Sequence, residues 1–144
     1  MLNRTEQKGV IKDIIVSITN VKTQLQGMED KIIAVEVAAS ELENRIGAVT
    51  LGASFEITEF KENFYGELLE TELNPIYDEI YDLQSEVEEY ISELSVSRAE
   101  VMEEKYAELD TVLEYFDQSS NSYDNLEDVY ENMDEAISLL KEML

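Results

Sequence analysis

The reactive side chains of this chain are overwhelmingly carboxylates: its 144 residues include 34 Asp and Glu, with no His and no Cys. Without imidazole the usual proton shuttle near neutral pH is missing, and without thiols there is no sulfur nucleophile, soft metal ligand or disulfide. Glu88 and Glu89, which follow Glu86 closely, and farther on Glu103 and Glu104, could pair as general acid and base. Runs of this kind are ordinarily the solvated face of an amphipathic helix, so these five glutamates are expected to form an acidic interaction face instead. A di-iron centre of the ferritin type needs histidine beside its glutamates, and there is none. No glycine-rich phosphate loop is present either. The expectation is a protein that is not an enzyme and takes no cofactor.

One stretch has the oxygen donors for a hard cation. Asp117, Ser119, Asn121, Tyr123, Asn125 and Asp128 stand at places one, three, five, seven, nine and twelve of a twelve-residue segment. That spacing resembles the EF-hand calcium loop. The departures are several: Ser122 stands where the loop needs glycine, Asp124 replaces an apolar residue, and Asp128 replaces the bidentate glutamate. A polar connection between helices, built of turn-forming residues, is the better account of Asp117, Ser119, Asn121 and Asp128.

The carboxylates are unevenly placed. Residues 1–50 hold six basic and seven acidic residues, whereas 51–144 hold four basic and 27 acidic, so nearly all of the net charge of −24 lies in the second part. All eight Tyr and all four Phe lie there too. A surface this acidic repels phosphate, which argues against direct contact with nucleic acid, and it attracts basic proteins. No apolar run is long enough to span a membrane, and no signal-peptide pattern opens the chain, so the expected location is the cytoplasm or a virion.

The elements that must position these charges are legible from apolar spacing. Ile11, Ile14, Ile18, Val21, Leu25, Met28, Ile32, Val35, Ala39, Leu42, Ile46 and Val49 follow one another at alternating steps of three and four. These are six heptads with an apolar residue at every a and d, the signature of a coiled coil. β-branched residues dominate both positions, which favours a trimer over a parallel dimer, and Lys31 at g with Glu36 at the following e would attract across a parallel interface. Ile15, Val16, Ile33 and Val37 lie off this seam. They point to a competing arrangement in which helix 1 folds back as one arm of a bundle.

Beyond Val49, two readings compete for residues 48–58. Either Gly47 and Gly52 punctuate two helices, or Val49 and Leu51 pair with Phe55 and Ile57 in a short β-hairpin; the helical reading is preferred, because two isolated strands are marginal. Asn74 and Pro75 read as a helix start, followed by the stripe Ile76, Ile80, Leu83, Val87, Tyr90 and Leu94. After Leu94 the apolar spacing slips by one residue. That slip is either a new helix with Ser97 and Glu100 as a capping box or a change of supercoil in one helix. The expected helices are 3–50, 55–73, 75–117 and 122–143. The fold class is therefore all-α, an elongated bundle with a coiled-coil region at 1–51 and an acidic helical region at 52–144.

Composition and pattern support a structural or interaction protein that self-associates through the seam and presents acidic helices to other components of a larger assembly, a viral one included. An acidic DNA mimic that inhibits a DNA-binding protein, of the anti-restriction or anti-CRISPR type, is the alternative, and a small helical assembly or secretion chaperone stands third.

Overall fold

The computed structural model describes residues 1–46, 51–117 and 126–144, and among these the chain is all-α with no strand. Five helices follow in order: α1 (Arg4–Ile46), α2 (Leu51–Ser92), α3 (Val96–Lys105), α4 (Leu109–Tyr115) and α5 (Leu126–Glu142). With 43 and 42 residues, α1 and α2 are each about 64 Å long at 1.5 Å per residue, and α5 with 17 residues covers only about 26 Å.

The core lies at one end of the long pair. Ile11, Ile14, Ile18, Val21 and Leu25 of α1 are buried together with Leu73, Ile76, Ile80, Leu83 and Val87 of α2. Leu109, Val112 and Phe116 in and just after α4, and Val129, Met133, Ala136 and Leu140 of α5, complete the same cluster. One core thus draws on both regions of the chain that composition divides at Gly52. Only four residues join Ile46 to Leu51, and the Leu2 amide donates to Glu86 late in α2, so α1 and α2 run antiparallel. Helix α5 is antiparallel to α1 as well. Arg4 reaches the carbonyl of Met143 at 2.6 Å, while farther along α1 Lys22 pairs with Asp134 at 2.6 Å.

The apolar seam of α1 is divided by this arrangement. Its first five members are buried within the chain, whereas Met28, Ile32 and Ala39 are half-buried. Val35 is 54% and Leu42 47% exposed. The side chain of Ile46 and all of Val49 lie outside the described residues. No fully buried residue falls between Leu25 and Leu73 among the described side chains, because the shorter helices end before covering the far half of the α1–α2 pair.

Four boundaries differ from the sequence expectation, one of them a turn at 106–108 that separates α3 from α4 within the expected helix 75–117. Residues 51–58 are helical, so α2 begins earlier than the expected 55 and the hairpin is not formed there, while 48–50 lie outside the described residues. A lone pair of strands would have left its outer amides unpaired, whereas helix satisfies them locally. Pro75 does not start a helix but sits inside α2. Its ring denies the Thr71 carbonyl a donor four residues on, and the apolar stripe on both sides of it, Leu73 and Ile76, is buried and holds the helix across the defect. The break comes instead at 93–95. Glu93 and Leu94 tighten the end of α2 with bonds to the carbonyls three residues back, at 3.2 and 3.1 Å. Ser95, in extended conformation, is the N-cap of α3 without a side-chain capping bond, and Ser97 lies within the helix, so Ser97 and Glu100 form no capping box. The slip in apolar spacing after Leu94 is therefore absorbed by a break rather than by a supercoil change.

Because Pro75 is exposed and its ring packs into no core, Pro75→Ala is expected to stabilise the fold, by at most about 3 kcal/mol, by restoring a helical donor. A shift of the urea midpoint to higher concentration checks this; a lower midpoint would show that proline at 75 is needed where it stands.

Candidate functional site

The seam of α1, continued back by one heptad, arrives at Gln7 in a d position and Arg4 in an a position. Both are polar, and together they form the densest side-chain network of the described residues. Gln7 is fully buried, the one buried polar side chain among them. Its Nε2 donates to the Leu2 carbonyl at 2.9 Å, and its Oε1 accepts from the Tyr106 hydroxyl at 2.8 Å. Arg4 in turn donates to that hydroxyl and to the Met143 carbonyl, and its guanidinium lies 5.2 Å from the centre of the Tyr106 ring. This clasp gathers the start of α1, the junction between α3 and α4, and the end of α5. Burial pushes the Tyr106 phenol above its ordinary value of 10.0, and Arg4 beside it pulls part of the way back. The arrangement ties together three segments that are remote in sequence. Its sequence signal was the polar pair Arg4 and Gln7 at seam positions, a recognised register device in coiled coils.

The carboxylates expected to form one face are dispersed. Glu86 turns toward the start of the chain, where it accepts from the Leu2 amide at 3.0 Å and lies 3.7 Å from the N-terminal ammonium. It borders a groove of about 390 Å³ with Asp13, Ser17, Glu79 and Asp82. Glu88 and Glu89 face solvent on α2, and Glu103 and Glu104 face solvent on the separate helix α3. Among the described residues no cluster of three or more acidic side chains is arranged to hold a metal ion.

The calcium-loop spacing falls partly on residues that are described. Asp117 follows α4, with its amide bonded to the Glu114 carbonyl at 3.1 Å. Asp128 lies in the first turn of α5, where a carboxylate favours the helix by meeting its partial positive end. Ser119, Asn121, Tyr123 and Asn125 lie outside the described residues. No described helix is long and apolar enough to cross a membrane.

Large apolar side chains also meet solvent on the far half of α1. Val35 and Leu42, one heptad apart, share one face of the helix, while Ile33, 44% exposed, and Val37, 53% exposed, lie on the opposite face. Val96 and Val101 of α3 are exposed as well, so Val35 and Leu42 are singled out by their place in the seam. Comparison with protein-family models, with curated proteins and with solved structures finds no match for the chain.

Tyr106→Phe should remove the donor to Gln7 Oε1 in a site closed to water and cost about 1–3 kcal/mol of stability, read from denaturant unfolding. A linked pH effect is expected. The folded state keeps the phenol protonated above pH 10.0, where an unfolded tyrosine ionises, so stability present below that pH falls as pH climbs past it. The wild type should show this alkaline loss, and the Tyr106→Phe variant should lack that component of it.

Proposed function

We propose that this chain is a non-enzymatic structural or interaction protein, which self-associates through the exposed second half of the α1 seam and presents acidic helices to other components of a larger assembly. The observation that carries this reading is the division of the seam: Ile11 to Leu25 are buried by the chain's own helices, while Val35 and Leu42 of the same heptad pattern stay about half exposed. A three-stranded rod along all of α1 would need Ile11–Leu25 to serve the bundle and the rod together. Self-association is therefore confined to the coiled-coil face beyond Leu25. The carboxylates then act as the outward coat, which keeps assemblies soluble and favours basic partners.

Light scattering on the intact chain is expected to give a defined oligomer that survives about 0.5 M salt, because screening relieves repulsion between copies that each carry −24. Val35→Asp with Leu42→Asp should return a monomer of unchanged helicity, since charged residues would then be forced into a dry contact. Reversal of the exposed Glu88 and Glu89 to Lys should leave the oligomer intact. A wild type that stays monomeric at high micromolar concentration would overturn the reading. So would a defined complex with a basic DNA-binding protein that dissolves on adding duplex DNA, the behaviour of a DNA mimic.

A further inference from the structure

The exposed part of α1 carries a ladder at alternating steps of four and three: Gln24, Met28, Lys31, Val35, Ala38, Leu42 and Arg45. All are exposed except the half-buried Met28. The ladder contains no carboxylate, in a chain whose net charge is −24, and its only charges are Lys31 and Arg45. Two such chains repel across their acidic second parts, and this strip lets a second copy approach α1 without bringing carboxylates into contact. We infer that two copies pair here with their α1 helices antiparallel, about a two-fold axis at Val35; the inference rests on the self-association proposed above and names its geometry.

Reversed about Val35 the ladder is compatible with itself, which is what a two-fold contact requires, since the same patch must be complementary to itself. Reversed onto a second copy, Val35 meets Val35 and Met28 meets Leu42, while Lys31 comes within one residue, about 1.5 Å along the axis, of Ala38, and Gln24 as close to Arg45. The apolar residues fall together, and each cation lands opposite a neutral side chain. A parallel, in-register pair does the reverse, setting Lys31 against Lys31 and Arg45 against Arg45, and like charges placed face to face disfavour that arrangement. Glu36, the residue toward which Lys31 would reach in a parallel pair, is half-buried in its own chain. The contact extends about 32 Å, from 21 residue-to-residue rises of 1.5 Å between Gln24 and Arg45. It also completes a bundle: among the described residues, α1 and α2 are the helices each copy brings to the segment beyond Leu25, and two copies together bring four.

The chain has no cysteine, so single thiols report the geometry directly. Val35→Cys should oxidise nearly completely to a disulfide-linked dimer, because a two-fold axis brings both copies of residue 35 within the short Cα separation a disulfide needs. Gln24→Cys and Arg45→Cys should each fail to link to themselves, with copies of residue 24 about 33 Å apart along the axis. A mixture of Met28→Cys and Leu42→Cys should give the mixed dimer. If Gln24→Cys, Val35→Cys and Arg45→Cys all link to themselves, the helices are parallel, and this inference fails while self-association stands. If none links although light scattering shows an oligomer, a different face is used, and the antiparallel pairing is again overturned. A monomer by light scattering removes both.

Discussion

The shared burial of Ile11, Ile14, Ile18, Val21 and Leu25 with the stripe from Leu73 to Val87 is the interaction on which the rest of this structure depends. Each fully buried aliphatic side chain of this size contributes roughly 1.5–3 kcal/mol relative to exposure. The Lys22–Asp134 ion pair, with the carboxylate largely exposed, belongs to a class worth about 0–1 kcal/mol. Apolar packing therefore sets the antiparallel pairing of α1 and α2, and charge decorates it. The same packing carries α2 through Pro75, whose local cost is smaller than what the two flanking turns gain together.

Helix lengths then determine what is left over. Two arms of about 64 Å cannot be covered by α4 and α5, whose combined span is near half of that. In the far half of the pair, Val35 and Leu42 of α1 meet solvent. In a chain carrying −24, that is an unusual place to leave Val35 and Leu42, and the surrounding absence of carboxylate on their strip makes the exposure selective.

The α1 heptads, the all-α class and the closing helix α5 were legible because a period of three and four repeated long enough to exceed chance. The helix boundaries were less so. Asn74–Pro75 has the local chemistry of a start, and only the burial of Leu73 and Ile76 on both sides of it, a tertiary fact, makes it an interior position. The break at 93–95 showed itself as a slip in spacing, which a sequence cannot assign to a bend or to a supercoil. The clasp was not legible as part of the seam, because Arg4 and Gln7 are polar and interrupt the apolar repeat, although their phase is that of the seam. Which half of the seam would be buried depends on where α5 stops along α1, and spacing within α1 carries no information on that.

The clasp joins parts of the chain that are remote in sequence: Arg4 and Met143 are 139 residues apart, and Gln7 and Tyr106 are 99. The α1–α2 pair closes through four. Loop-closure entropy makes the short connection the easier one to form first, so the long pair zips early and the clasp shuts last. Opening is governed instead by where apolar burial lies. The buried cluster sits at the clasp end and is shared by α1, α2, α4 and α5, whereas the described side chains of the far half include none that is buried. The far half therefore opens at the lowest cost, and the backbone beside Ile18 and Ile80 is the last to let its amides exchange.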